Sequence, residues 1–368
     1  MTDCNIDHLV NPAVAGIKPY IPGKPIAEVQ RELQLDRIVK LASNENPYGP
    51  SPKALAAAQA AMSDVYSYPD ASCFELRNKL AEIHQLSPDH FVCGSGLDDV
   101  ISILIKAFQV PGDITITSTY AFVTFGLIVA GFAGQIHRIP ECDDFMPNLE
   151  AMVAAITPQT KFFYLANPNN PTGVAINEAQ LVQLLEAIPA HVLVVLDEAY
   201  CHFAQAPDYP DSIALQRRFK NLITLRTFSK AYGLAGLRLG YAVAHPEIIA
   251  YMNRARTPFN VNAVVQAAGL AALDDSAHVD HVVTQNVLVK QTLSAFFTRK
   301  HIDFIASQTN FLSFRPPANQ PDLCNQLLQR GVIIRPLAPF GMPTHARVSI
   351  GTMAENQYFC DVMDSMLD

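Results

Sequence analysis

Lys230 stands between hydroxyl side chains in the segment Thr227-Phe228-Ser229-Lys230-Ala231-Tyr232-Gly233. Its neighbours are small or apolar, and a desolvated lysine loses its proton more readily. The neutral amine can condense with an aldehyde. The hydroxyls of Thr227 and Ser229, with the guanidinium of the nearby Arg238, suit a phosphate dianion. The segment therefore predicts a ligand that carries an aldehyde and a phosphate; the alternative is an ordinary loop whose lysine points into water.

A carboxylate follows a predicted buried strand. The apolar run 192–196 is rich in β-branched residues, which is typical of a buried parallel strand, and Asp197 and Tyr200 follow it. Open α/β sheets bind ligands at the carboxyl ends of their strands. There, Asp197 can keep a pyridine nitrogen protonated, and Tyr200 can donate a hydrogen bond to a phenolic oxygen. For Asp197 taken alone, a helix N-cap is the simpler interpretation.

Two further strand ends carry turns. The run 162–165 leads into Asn167-Pro168-Asn169-Asn170-Pro171-Thr172-Gly173, a rigid turn that can aim the Asn170 amide at the same phenolic oxygen. The run 91–93 leads into Gly94-Ser95-Gly96-Leu97-Asp98 and a helical pattern over 100–108, an arrangement that can bind an anion. These features together indicate pyridoxal phosphate. A nicotinamide cofactor is disfavoured because the six-residue glycine fingerprint is missing.

With these motifs, the chain resembles the fold-type I pyridoxal-phosphate enzymes, and among them most of all the histidinol-phosphate aminotransferases. The similarity extends to residues 19–25, 41–47, 68–70 and 347–352. It implies an α/β fold in which a large domain holds a mainly parallel sheet and a smaller α/β domain follows. It also implies transfer of the amino group between L-histidinol phosphate and 2-oxoglutarate in histidine biosynthesis, by a homodimer.

Other activities remain open at this point. The same residues are compatible with an aromatic amino-acid aminotransferase, because a phosphate and a carboxylate both require an arginine. A decarboxylase acting on an amino-acid phosphate is a further alternative. A non-catalytic regulator that binds pyridoxal phosphate would need an added basic DNA-binding domain, and the acidic chain argues against one.

The resemblance assigns roles to individual residues. Lys230 would bind the cofactor and move the substrate proton, Asp197 would pair with the pyridinium nitrogen, and Asn170 and Tyr200 would bond the phenolic oxygen. The full cofactor set that it implies is Gly96, Leu97, Asp98, Tyr120, Asn170, Asp197, Tyr200, Thr227, Ser229, Lys230, Arg238 and, from a second subunit, Tyr68. Tyr120 would stack on the ring, although an aromatic residue there is more often core. Leu97 departs from the small residue that relatives carry in this loop. His202 is interpreted as structural.

For the substrate, the resemblance points to two arginines. Arg347 would bind the α-carboxylate of glutamate and also the phosphate of histidinol phosphate. Arg335 would be a second cation for that phosphate, or alternatively a surface charge on an edge strand. Tyr20 is expected to contact the phosphate as well, and Asn44 and Glu45 are expected near the imidazole.

Composition limits the class of protein. The chain has 368 residues and a net charge of -8, which argues against nucleic acid or an anionic membrane as a partner. The seven cysteines are scattered and suggest neither a zinc site nor a disulfide framework. The N-terminus does not look like a signal peptide, and the longest apolar run, 121–134, is too short to cross a bilayer. We therefore expect a cytoplasmic enzyme without a metal.

The order of predicted elements gives the domain organisation. Strands and helices alternate from about 91 to 243, which implies a mainly parallel sheet with helices on both faces. A long helical stretch over about 263–299 and short strands near 311–314, 332–334 and 347–350 follow. We expect an N-terminal arm over 1–39 that joins the small domain, a large domain over 40–262 and a small domain over 263–368.

Overall fold

The strands expected between residues 91 and 243 form one sheet in the computed structural model, which describes residues 6–19 and 23–367. The strands in the described ranges are β1 (Val39–Lys40), β2 (Phe91–Gly94), β3 (Ile114–Ser118), β4 (Gln135–Ile139), β5 (Thr160–Ala166), β6 (Leu193–Asp197), β7 (Leu222–Thr227), β8 (Gly240–Ala244), β9 (Phe311–Phe314), β10 (Val332–Ile333), β11 (Arg335–Pro336) and β12 (Ala346–Ser349).

The α-helices of the same ranges are α1 (Pro12–Ala15), α2 (Ile26–Leu33), α3 (Pro52–Ala61), α4 (Phe74–His84), α5 (Leu97–Phe108), α6 (Val123–Gly131), α7 (Leu149–Ala154), α8 (Glu178–Ala187), α9 (Ser212–Leu215), α10 (Pro246–Ala255), α11 (Ala263–Leu273), α12 (Ser276–Arg299), α13 (Leu323–Leu328) and α14 (Met353–Leu367). Where the structure describes the chain, no helix is both long and apolar enough to cross a membrane.

The large sheet has seven strands in the order β2-β8-β7-β6-β5-β3-β4. All neighbours are parallel except β8, which runs antiparallel to β2 and β7. The carboxyl ends of β2, β5, β6 and β7 therefore lie at one edge, and β8 begins there at Gly240, opposite both Gly94 and Thr227. The mainly parallel α/β fold is confirmed, with β8 as the exception.

Helices cover both faces of this sheet, because successive side chains of each strand point to opposite faces and both faces are apolar. In β5, Phe162 and Tyr164 pack with α5, α6 and α10. Phe163 and Leu165 point the other way and pack with α7 and α8. Farther along the second face, α4 and α11 pack on β2 and β8. The sheet core is buried on both sides, so only its edges can form a site.

Two smaller sheets contain the strands after β8 together with β1. In the first, β11, β12 and β9 are antiparallel, and the register places Arg335 opposite Arg347. In the second, β1 pairs in parallel with β10, so that the segment after the N-terminal arm joins the C-terminal part of the chain. Val29 of α2 packs with Ala42 and Ile333 on this pair. These contacts agree with an arm that joins the small domain, and the domain boundaries themselves stay a prediction.

One helical expectation needs correction. The stretch 263–299 is not one helix: α11 ends at Leu273 and α12 begins at Ser276. Asp274 and Asp275 separate them, and their carboxylates pair with Lys79 at 2.8 Å and Lys53 at 3.8 Å. The apolar run 121–134 is helical only over Val123–Gly131.

Candidate active site

A cavity of about 370 Å³ lies at the carboxyl edge of the large sheet and is also lined by residues of β11 and β12. Most of the residues singled out in the sequence line it. They are Asn44, Leu97, Asp98, Asn170, Asp197, Tyr200, Thr227, Ser229, Lys230, Arg238, Arg335 and Arg347. The fold therefore brings together motifs that are far apart in the sequence, at the position where open α/β sheets bind ligands.

Lys230 lies just beyond the end of β7 and is half-buried. Its Nζ donates hydrogen bonds to the carbonyl oxygens of Ser43 at 3.2 Å and Asn44 at 3.3 Å. Nζ is 5.5 Å from the ring centre of Tyr200. Both acceptors are backbone carbonyls of the segment that leads into Asn44. These contacts orient the amine at the edge of the cavity.

Asp197 is the last residue of β6 and is buried. Its Oδ2 accepts a hydrogen bond from the Tyr164 hydroxyl at 2.8 Å, and its Oδ1 accepts one from the backbone N–H of Ala199 at 3.0 Å. Burial raises the pKa of Asp197, and these two hydrogen bonds oppose that rise. The bond from Ala199 closes a local turn and is not a helix N-cap, because the short helix that follows, Cys201–Phe203, has Tyr200 as its N-cap. A buried carboxylate facing a cavity is stabilised most by a cationic ligand.

The Tyr200 hydroxyl is held by two amides. Asn44 Nδ2 donates to it at 2.9 Å and Asn170 Nδ2 at 3.3 Å. Asn44 is itself fixed, because Ser349 Oγ donates to its Oδ1 at 2.9 Å and accepts from its backbone N–H at 2.8 Å. Asn44 thus lies beside Tyr200, on the side of the ring-binding residues. All three side chains line the cavity, where their N–H and O–H groups can donate to an oxygen acceptor.

The glycine turn and α5 form a cluster of hydrogen-bond donors. Gly96 is the N-cap of α5, with φ of 83° and no side-chain cap, so the first N–H groups of the helix can bind an anion. Arg238 Nη1 lies 3.4 Å from Ser229 Oγ, and its Nη2 lies 3.4 Å from Asp98 Oδ2. A Cβ at Gly96 would overlap the Arg238 guanidinium, so only glycine leaves this space open. The donor set is suited to a phosphate group.

At the other side of the cavity two guanidinium groups lie on adjacent strands. Arg335 and Arg347 are opposite each other in the sheet and both are buried. Their Cζ atoms lie 5.5 and 5.7 Å from the ring centre of Phe340. Arg347 donates to the carbonyl oxygen of Ala42 at 3.0 Å and to Asn170 Oδ1. The alternative of a surface charge is wrong for Arg335, which is only 7% exposed.

Tyr120 does not line the cavity. Its ring packs 6.3 Å from that of Phe145 and against Gly341, and its carbonyl oxygen accepts from Asn169 Nδ2. Phe122, which comes two residues later, does line the cavity, as Tyr200 and Phe340 do. Stacking of Tyr120 on the cofactor ring stays a prediction, and Phe122 is a second candidate for that position.

Two other predicted residues lie elsewhere. The Glu45 carboxylate pairs with Lys40 at 2.8 Å and borders a neighbouring cleft. Tyr68 is 83% exposed, and its ring stacks on Phe259 with 4.7 Å between centres, away from the cavity of its own chain. Tyr20 lies outside the described residues.

His202 does not line the cavity. Its ring meets that of Tyr232 edge-on at 5.1 Å, and its Nδ1 is 3.5 Å from Cys201 Sγ. Burial lowers the pKa of His202 to about 3. These packing contacts agree with a structural role, which stays a prediction.

Sequence reasoning missed several side chains of the site. Tyr164, which bonds Asp197, looks like an ordinary core residue of a strand. Phe122 and Phe340 also line the cavity, but nothing distinguishes them from other apolar residues in the sequence. Lys40 lines it too, and here a signal existed: a lysine interrupts the apolar run Ile38-Val39-Lys40-Leu41-Ala42.

Comparisons with known proteins agree with this geometry. The family model "Aminotransferase class I and II" matches residues 36–363. Histidinol-phosphate aminotransferase 2 of Methylococcus capsulatus is 43% identical over 368 residues, which are 99% of each chain. Histidinol-phosphate aminotransferase of an Anaeromyxobacter species is 43% identical over 350 residues, 95% of this chain and 96% of that protein.

A solved structure is similar over almost the whole chain. The histidinol-phosphate aminotransferase of Sinorhizobium meliloti in complex with pyridoxal-5'-phosphate superimposes with a TM-score of 0.87 and 28% identity, covering 97% of this chain and 98% of that one. The resemblance expected from the sequence is therefore confirmed. The chain belongs to the class I and II aminotransferases.

Proposed function

We propose that this chain is a pyridoxal-phosphate-dependent aminotransferase that exchanges the amino group between L-histidinol phosphate and 2-oxoglutarate, yielding imidazole acetol phosphate and L-glutamate in histidine biosynthesis. Relatives that carry this name are 43% identical over nearly the full chain. The observation that carries the proposal is one cavity that holds the Lys230 amine, the donor cluster at α5 and the pair of buried arginines. Two separate anion sites in one cavity with an amine suit a phosphorylated cofactor and an anionic substrate.

The residues present fit this cofactor. The N-terminus of α5, Thr227, Ser229 and Arg238 would hold its phosphate, and the buried carboxylate of Asp197 would pair with its ring nitrogen. When bound, pyridoxal phosphate supplies an aldehyde carbon that carries the amino group and a ring that withdraws electrons from the substrate Cα. Asn170 and Tyr200 would orient the ring through its phenolic oxygen.

Lys230 would act as the general base that removes the proton from the substrate Cα. Its Nζ is anchored to two carbonyl oxygens at the edge of the cavity, and its flexible stem can swing toward a bound substrate. Tyr164 and Ala199 N–H would keep Asp197 ionised by bonding its two oxygens.

Arg347 and Arg335 would bind the substrate anions. Arg347 is held by Ala42 and Asn170, close to the ring-binding residues. It is therefore the candidate for binding an anionic group of either substrate. Arg335 lies opposite it and would complete a site for a dianion. Arg335→Ala should then impair histidinol phosphate far more than glutamate, whereas Arg347→Ala should impair both.

We also propose that the enzyme is a cytoplasmic homodimer in which Tyr68 reaches the neighbour's cofactor phosphate. An exposed apolar surface around Tyr68 supports this assembly: Met62 is 58% exposed, Tyr66 is 87% exposed and Phe74 is 61% exposed. Exposed apolar surfaces of this kind mark association sites. The proposed domains are an arm over 1–39, a large domain over 40–262 and a small domain over 263–368. The pairing of β1 with β10 supports an arm that joins the small domain.

The test is a substrate screen with purified holoenzyme. Histidinol phosphate and 2-oxoglutarate should yield glutamate at a higher kcat/KM than phenylalanine and 2-oxoglutarate. Faster turnover of phenylalanine would instead identify an aromatic amino-acid aminotransferase. Activity with neither donor would contradict both.

A further inference from the structure

Lys40 is a charged residue of the cavity wall to which the mechanism above gives no role. Its side chain also borders a second cleft of about 370 Å³ that contains Glu45 and Glu355. Lys40 Nζ pairs with Glu45 Oε1 at 2.8 Å, and the two side chains are 20% and 49% exposed. Lys40 therefore stands between the active site and a more open space, and its partner there is a half-exposed carboxylate.

Strand alternation places Lys40 on the same side as Arg335. Val39 and Leu41 belong to the core cluster that also contains Val332 and Ile334. The residues that alternate with them face away from that core. These residues are Lys40 and Ala42 on one segment and Ile333 and Arg335 on the other. Gly23 covers this face, since a Cβ there would lie 3.6 Å from Ala42 Cβ and 3.9 Å from Arg335 Nη1.

The charges of this part of the cavity favour a dianion. Lys40, Arg335 and Arg347 contribute three cations to the described lining. The carboxylates of that lining are Asp98, beside Arg238, and Asp197, beside Tyr164. Both belong to the part assigned to the cofactor, so the carboxylate nearest to the three cations is Glu45, which pairs with Lys40 from the neighbouring cleft. A carboxylate needs fewer cations than a phosphate dianion, which has more charge and more acceptor oxygens.

We propose that Lys40 is a specificity-determining residue that exchanges Glu45 for the phosphate of the substrate. This inference rests on the proposed function, which supplies a phosphorylated amine as one substrate and glutamate as the other. An ion pair with a half-exposed carboxylate contributes little, so breaking it costs little. A charge-assisted hydrogen bond to a phosphate inside the cavity is stronger. Lys40 thus favours the phosphorylated substrate over glutamate.

The experiment compares KM and kcat of the holoenzyme for both amino donors. Lys40→Gln should raise KM for histidinol phosphate at least tenfold, with KM for glutamate within threefold of wild type and kcat little changed. Lys40→Arg keeps the charge and should recover most of the affinity. Lys24→Gln is the matched control, because Lys24 also pairs with carboxylates, Glu28 and Glu32, but does not line the cavity. Equal changes in both KM values, or none, would overturn the proposal.

Inorganic phosphate separates this inference from the proposed function. With the cofactor in place, inorganic phosphate should inhibit competitively with glutamate, and Lys40→Gln should raise its inhibition constant at least tenfold. An unchanged constant overturns the role of Lys40 even when wild type turns over histidinol phosphate normally. A wild type that ignores histidinol phosphate, but whose inhibition by phosphate depends on Lys40, supports the anion site and contradicts the proposed function.

Discussion

The hydroxyl of Tyr164 donates a hydrogen bond of 2.8 Å to Oδ2 of Asp197. The two residues lie on the adjacent strands β5 and β6, and both are buried. Tyr164 is fixed in turn by Phe125, whose ring stacks on it with 4.0 Å between centres. The position and charge of Asp197 therefore depend on a tyrosine that the helix α6 holds in place.

Tyr164→Phe removes this hydrogen bond and little volume. A bond to a charged group contributes roughly 1.5–3 kcal/mol, so at ~1.4 kcal/mol per tenfold we expect kcat/KM to fall about ten- to a hundredfold. The bond lowers the pKa of Asp197, so its loss should move the acidic limb of the pH–rate profile to higher pH. Tyr241→Phe is the control, a buried tyrosine of β8 whose hydroxyl is near His84. An unshifted profile in Tyr164→Phe would show that Asp197 does not depend on it.

Asp197→Asn keeps the shape of the side chain and removes its charge. A buried ion pair that loses one partner typically costs about 3–5 kcal/mol, which corresponds to a loss of a few orders of magnitude in kcat at ~1.4 kcal/mol per tenfold. Steady-state kinetics with cofactor in excess measures this loss, and circular dichroism checks the fold. A rate within about threefold of wild type would reduce Asp197 to a structural residue.

Tyr68→Phe tests the dimer. If Tyr68 bonds the partner's cofactor phosphate, its loss should weaken cofactor affinity by roughly 1.5–3 kcal/mol. The neighbouring Tyr66, which is 87% exposed, provides the control Tyr66→Phe. Lys230→Ala subunits can also be mixed with subunits that a larger substitution at Tyr68 has made inactive. The mixture should regain activity, because one of the two sites in each hybrid dimer has both wild-type residues. A fully active monomer in sedimentation, or no rescue in hybrids that do exchange subunits, would remove Tyr68 from the site.

His202 should make the fold sensitive to acid. Its pKa is lowered from 6.5 to about 3, so between these values the unfolded chain binds more protons than the folded one. The free energy of unfolding therefore rises with pH across this window and falls on acidification. His202→Asn should lower that slope by up to about 1.4 kcal/mol per pH unit, measured by urea unfolding from pH 4 to 7. The exposed His191→Asn is the control; equal slopes in His202→Asn and wild type would contradict the prediction.

The sequence predicted those parts of the site that follow from local chemistry. Asp197, Asn170 and Gly96 could be found because each follows an apolar run that reads as a buried strand. Tyr164 and Phe122 could not, since their roles depend on how strands pair and on where a loop directs one of two aromatic side chains. Asn44 was expected near the substrate and lies beside Tyr200, through contacts to residues far along the chain.

The most direct test of the account is the identity of the lysine that carries the cofactor. Lys230 lines the same cavity as the donor cluster at α5 and the arginine pair. Borohydride reduction of the holoenzyme, followed by digestion and mass spectrometry, should place the cofactor mass on the peptide that contains Lys230. The Lys230→Ala variant should keep its fold and should have no transaminase activity. Borohydride should attach no cofactor to it. Cofactor mass on any other lysine of wild type would contradict the central assignment.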